Sequence, residues 1–140
     1  VLITRVNGWI DAGECERRYR QINDFERMLA ETGTTILKFY LHISKDEQKK
    51  RLEERRDTPQ KQWKFNPGDL AVRAQWEAYM DAYEAALSAT STTHAPWHVI
   101  PANSKLARNL TVSRLLIDAL EALDMRYPPP VEGAAGIRIE

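Results

Sequence analysis

The chain lacks several features that would define a function class at once. It has a single cysteine, Cys15, so no disulfide can close within it, and CxxC and zinc-finger spacings are absent. Cys15 has no obvious His partner and reads as a buried or incidental thiol; a reducing compartment, the cytoplasm, is the expected home. No run of about 18 apolar residues occurs, so no segment reads as a membrane span. Net charge of one sign is missing too, because 20 Lys plus Arg balance 20 Asp plus Glu. That balance excludes a generic nucleic-acid coat or an anionic-membrane binder and leaves room only for a local basic patch. His42, His94 and His98 are scattered without metal-ligand spacing, and the two in strand-like segments, His42 and His98, read as core histidines. No metal ligand is assigned, and no carboxylate pair stands out for acid–base work. There is no GxxxxGK(S/T) phosphate loop, internal repeat or low-complexity block.

What is present is enough for one domain: 140 residues, 43% apolar and 29% charged. The chain opens at Val1 rather than Met and runs directly into an apolar segment, so the expectation is a piece of a longer protein, with processing as the alternative. Residues 1–6 read as a short buried strand or the end of a buried helix. A helix is expected over 14–32, with Ile22, Phe25 and Leu29 as its apolar face and Gly33 as its stop. TTILKFYLHI (34–43) is the best strand, apolar enough to be covered on both faces of a parallel sheet. Ser44 and Glu47 form a capping box that opens a charged helix to about Arg56. A loop with two prolines spans 57–67. A long helix over 69–89 carries Val72, Trp76, Tyr79, Tyr83 and Leu87 on one face. WHVI (97–100) is a second strand. A last helix over 105–123 has Leu106, Leu110, Leu116, Leu120 and Leu123 near one side, and 128–140 forms an irregular tail. Such alternation implies an α/β fold with a parallel sheet. Two strands are few for an independent sheet, which again places the front half of a doubly wound domain upstream.

The dense feature is RLEERRDTPQKQWKFNPGD, from Arg51 to Asp69. Arg51 and Arg55 share one helical face. Lys61 and Lys64 follow on the proline-bounded loop, interleaved with Trp63 and Phe65. Cations on a helix end and an adjoining loop can close over a polyanion, Arg through forked hydrogen bonds to phosphate oxygens and Lys as a point charge. The bland alternative is a solvated charged face with pairs such as Glu47–Arg51, and an anchoring role for Phe65. A second place is Asn103-Ser104-Lys105 after the second strand. There Lys105 and Arg108 stand where the last helix begins, an end that attracts anions, while Asn103 or Ser104 caps it.

Taken in order, INDFERMLAETGTTILKFYLHISKDEQKKRLEER, DTPQKQWKFNPGDL, RAQWEAYMDAYEAAL, APWHVIPANSK and RNLTVSRLLIDALEALDMRYPPP resemble family-2 polyphosphate kinases. The resemblance covers nearly the whole chain and is weakest over the last ten residues. It implies a P-loop kinase-like three-layer α/β/α fold, of which residues 1–127 form the C-terminal part and 44–89 a helical lid. It implies Mg²⁺-dependent transfer of a phosphoryl group between inorganic polyphosphate and a nucleoside mono- or diphosphate, in a homo-oligomer. By position, Arg51, Arg55 and Lys64 would hold the moving phosphoryl group, with Lys61, Lys105 and Arg108 binding polyphosphate or nucleotide. Asp69 would orient or cap the lid. The family's phosphate loop and main Mg²⁺ carboxylates precede the point matching Val1, and residues 1–6 then match the end of a helix. This chain departs at NSKLA (103–107), where members often have a run like Asp-His-Lys-Trp-Phe. The alternatives are an ATP-dependent nucleoside monophosphate kinase of the same fold and a non-catalytic anion-binding fragment.

Overall fold

The computed structural model describes residues 1–139. Its helices are α1 (Leu2–Val6), α2 (Ala12–Glu31), α3 (Lys45–Asp57), α4 (Gly68–Ala74), α5 (Trp76–Thr90) and α6 (Lys105–Ala122), with strands β1 (Lys38–His42) and β2 (Trp97–Pro101). Residues 2–6 are thus helical, as the family resemblance implies. Helix α2 starts earlier than the apolar period suggests, because the Asp11 side chain accepts from the Glu14 amide at 2.7 Å. Its end is a Schellman closure on Gly33, with Thr34 N donating to Leu29 O at 2.9 Å and Gly33 N to Ala30 O at 3.0 Å. Gly33 sits at φ +90°, where a side chain would be strained.

The strands pair in parallel, Lys38 beside Trp97 and Tyr40 beside Val99. β1 is shorter than the apolar run 34–43, since its ladder begins opposite Trp97 and the preceding Pro96 has no N–H to extend it. Alternation along the strands puts Tyr40 and Val99 on one face and Phe39 and His98 on the other. Met80 and Tyr83 of α5 lie over the first face, the Tyr40 and Tyr83 rings 4.8 Å apart. Arg108 and Val112 of α6 lie over the second, beside Phe39 and Leu41. The arrangement is helix, sheet, helix. Cover thins along the strands, from buried Lys38 to exposed Leu41 and His42. The expectation of a strand covered on both faces therefore fails toward its carboxyl end, and His42 is not a core histidine.

Three further expectations change. The long helix over 69–89 is two, broken at Gln75 (φ −94°, ψ 24°). Arg73 donates to Lys45 O at 2.7 Å and Gln48 Oε1 at 2.8 Å, fastening α4 to α3, whereas α5 lies on the sheet; one straight helix does not serve both. The proline loop contains a 3-10 turn, Pro59–Lys64, favoured by Pro59 at its first position. The apolar stripes also differ in use. On α6 the half-buried residues are Arg108, Val112, Leu115 and Ala119, while Leu106 and Leu110 are 80% and 71% exposed. On α2 the packed side carries Cys15 and Tyr19, with Asn23 Nδ2 donating to Ala89 O of α5 at 2.9 Å, and Phe25 is exposed.

Lys38 is buried at the start of β1. Its ammonium donates to Glu26 Oε2 of α2 at 2.7 Å and to Thr90 O at the end of α5 at 2.6 Å, and it lies 5.1 Å from the Trp97 ring centre. Removing one partner of such a pair strands the other charge. Lys38→Met is expected to cost about 3 kcal/mol or more in urea unfolding, and Lys38→Met with Glu26→Gln to recover part of that loss.

Candidate functional site

The carboxyl ends of β1 and β2 point the same way, and each leads directly into a helix. Ser44 Oγ accepts from Glu47 N at 3.1 Å to cap α3, and Ser104 Oγ accepts from Ala107 N at 3.3 Å to cap α6. Two helix N-termini thus stand side by side at one end of the sheet, where their dipoles add positive potential. Of the two capping candidates, Ser104 takes the role. Asn103 instead joins the two loops: its Oδ1 accepts from Ser44 N at 2.9 Å and its Nδ2 donates to Ser44 Oγ at 3.3 Å.

Arg51 completes this lacing. Its Nε meets Glu47 Oε1 at 2.7 Å, and one η nitrogen donates to Ala102 O at 2.7 Å and Asn103 O at 3.3 Å. Here Arg51 braces α3 against the loop after β2. Beyond that brace, Arg55, Lys64 and Lys105 are exposed and make no ion pair among the described residues. Lys61 and Lys64 are three apart in a 3-10 turn, where side chains at that spacing eclipse, so they leave it on one side. Lys61 pairs with Glu54 of α3, and Gln62 Nε2 donates to Arg56 O at 2.7 Å, which docks the turn on the helix end. The Lys64 ammonium lies 4.8 Å from the centre of the Trp63 ring, and Trp63 is 78% exposed. Phe65 turns inward as the anchor, lining a 260 Å³ cavity with Leu52 and Leu70.

The electrostatics follow from these contacts. The hydrogen bond from Lys61 holds the Glu54 carboxyl below its ordinary pKa, helped by the charge of Lys61 and then of Lys105 and Lys50. Lys105 thus contributes to the positive field at Glu54 without pairing with it. Arg56 grips Asp57 at 2.7 and 2.9 Å and lowers its carboxyl, so its own charge is locally neutralised. On the sheet face under α5, burial and then Tyr83 raise the pKa of Tyr40, whose hydroxyl is 3.3 Å from His42 Nδ1.

The structure thus brings Lys61 to Glu54 of α3 and Arg51 to the loop before Lys105, and it places Arg55 on the same helix and Lys64 on the same 3-10 turn. Arg108 stands apart: Nε and Nη2 both donate to Asn109 Oδ1, and it lines the cleft between α6 and β1. Asp69 lies in the first turn of α4, but the Gly68 amide there is taken by Asn66 Oδ1 at 2.9 Å. Sequence reasoning missed the lacing by Asn103, the strap of Arg73 and the place of Glu54 among the cations. None of these leaves a periodic signal, because each joins segments far apart in the chain or depends on a turn. No three of His, Cys, Asp and Glu converge on one point among the described residues. No helix of the described residues is long and apolar enough to cross a membrane.

A family model described as Polyphosphate kinase 2 matches residues 1–128. The chain is 54% identical over 140 residues to an AMP/ADP-polyphosphate phosphotransferase of Meiothermus ruber, covering 100% of this chain and 52% of that one. It is 48% identical over 112 residues to an ADP-polyphosphate phosphotransferase of Rhodopseudomonas palustris, covering 80% and 39%. The crystal structure of Polyphosphate Kinase 2 from Arthrobacter aurescens TC1 superimposes with a TM-score of 0.93 at 57% identity, over 97% of this chain and 48% of that one. The chain spans about half the length of these relatives or less.

Two measurements check the geometry. Arg51→Lys is expected to cost about 1–2 kcal/mol in chemical unfolding, because a point ammonium cannot serve a carboxylate and two carbonyls together. For Tyr40 the sign is alkaline. Its folded pKa lies above the unfolded value of about 10, so its contribution is complete below that pH and is lost as pH rises through the raised value. Tyr40→Phe should flatten that part of the alkaline decline, as read by urea midpoints across the range.

Proposed function

The chain belongs to the polyphosphate kinase 2 family, whose P-loop kinase-like α/β fold it shares, and from that premise we propose that it is the lid-bearing part of a phosphotransferase. The reaction proposed is transfer of a phosphoryl group between inorganic polyphosphate and a nucleoside mono- or diphosphate. The observation that carries this reading is the set of exposed cations on α3, on the 3-10 turn docked against it and at the start of α6, the two helices that follow the carboxyl ends of two parallel strands. A linear polyanion needs such a row of charges, and the two relatives named above are polyphosphate phosphotransferases.

In this reading α3, the 3-10 turn and α4 act as the lid. Arg55 and Lys64 face the transferred phosphoryl group and neutralise charge on its equatorial oxygens as it moves in line from donor to acceptor. Lys61 and Lys105 hold neighbouring phosphates of the donor chain. Arg51 contributes by keeping α3 and the loop after β2 in register, which holds the helix that carries Arg55 beside the loop that leads to Lys105. Asp69 orients the first turn of α4, and Arg108 acts at the nucleotide edge of the site. Little covalent chemistry is asked of these side chains. Mg²⁺ would add further neutralisation of the phosphate charge, held mainly by residues of the family domain that precede the segment matched here. The buried, unpaired Cys15 suits a reducing compartment, the cytoplasm.

Among the described residues the side chains of Arg55 and Lys64 make no hydrogen bond or ion pair, and Lys64 rests only against Trp63. Arg55→Ala and Lys64→Ala, made in the chain with all its natural flanking sequence, should each lower turnover on polyphosphate by about tenfold or more. Their thermal midpoints should stay within about 2 °C of the parent. In a donor competition with AMP or ADP as acceptor, polyphosphate should be used at least as well as ATP; preference for ATP would favour a nucleoside monophosphate kinase. The 140 residues alone should show no turnover.

A further inference from the structure

Among the cations of this site Lys61 differs in one respect. Arg55, Lys64 and Lys105 carry no acidic partner among the described residues, and the carboxylate on Arg51 comes from the same helix one turn away. Lys61 alone is met by a carboxylate from another element, Glu54 of α3. Both side chains of that pair are close to half exposed, 45% and 46%, so the contact is open to solvent and exchangeable. The Glu54 carboxylate also feels Lys105 from α6 and Lys50 one turn back on its own helix. Lys61 is the ammonium in contact with it, and a phosphate oxygen offers the same acceptor chemistry to that donor.

Resting on the polyphosphate reading above, we infer that Glu54 is a built-in occupant of the phosphate subsite at Lys61. While the subsite holds no anion, the carboxylate keeps the Lys61 ammonium and the 3-10 turn in place against α3. An arriving phosphoryl group takes the ammonium over, and Glu54 is left beside a like charge. Glu54 is thus a positioning residue whose second effect is to weaken the grip on the polyanion. For a processive or reversible transfer that is useful, because the donor chain must be released and advanced as well as bound.

The test is calorimetric titration with inorganic tripolyphosphate at fixed pH and low ionic strength, on the chain with all its natural flanking sequence. Glu54→Gln keeps the shape and removes the charge. It should bind about two- to fivefold more tightly than the parent. Lys61→Ala should bind more weakly, and in the Lys61→Ala background the gain from Glu54→Gln should vanish. Equal or weaker binding by Glu54→Gln, while the parent binds, overturns this inference and leaves the polyphosphate reading intact. A gain that persists undiminished without Lys61 also overturns it, since the effect would then be general repulsion. Binding by Glu54→Gln alone, with none by the parent, supports the occupant role in its strongest form. Binding by neither removes this inference together with the reading it rests on.

Discussion

A single buried ammonium holds the layers of this domain together. Lys38 reaches Glu26 on α2, the last carbonyl of α5 at Thr90 and the face of Trp97 on β2. Thr90 extends the lock, since its hydroxyl accepts from Trp97 Nε1 at 2.9 Å and donates to Ala86 O at 2.6 Å. A charge out of water is costly unless every donor is met, so the position of Lys38 demands that all these groups arrive together. That demand fixes the amino end of the sheet against α2 and α5. From there the cover thins along β1 toward its carboxyl end, while β2 keeps Ile100 buried between exposed Val99 and Pro101.

The open end is where the charged machinery stands, and it is held by a second kind of bonding. Asn103, Ser44 and Arg51 tie the two strand-to-helix loops to each other through neutral and charge-assisted hydrogen bonds. Exposed cations set close together repel, and Glu47, Glu54 and Asp57 relieve that repulsion at Arg51, Lys61 and Arg56. Among the described residues Arg55 and Lys64 have no such carboxylate, and Lys105 shares the field of Glu54 without pairing with it. A surface arranged only for solubility would intersperse the two signs; the residual positive end is what a polyanion requires.

Much of this was legible residue by residue. Ser44 announced the start of α3, Gly33 the end of α2, and the β-branched and aromatic run the first strand, because caps, left-handed glycines and strand preference are local physics; the reciprocal half of the capping box does not form, since Asn103 takes the Ser44 amide and Arg51 the Glu47 carboxylate. The cations from Arg51 to Lys64 were visible as a cluster for the same reason. The break at Gln75 was not, since α4 and α5 share an apolar period and differ only in what they pack on. Nor was the packed side of α6. Periodicity reveals that a stripe exists, and Leu106 and Leu110 form one, yet the chain lays Val112 and Leu115 on the sheet side instead.

By itself the sequence determined the order of helices and strands, the balance of charge, the family and the identity of the basic residues, because these rest on neighbours within a turn or two and on motif order. Only the tertiary structure decided which of those bases is a brace and which is open to a ligand. Arg51 and Arg55 are equivalent on a helical wheel. The carbonyls of Ala102 and Asn103, brought beside α3 by the parallel pairing of β1 and β2, bind one of them and leave the other to solvent.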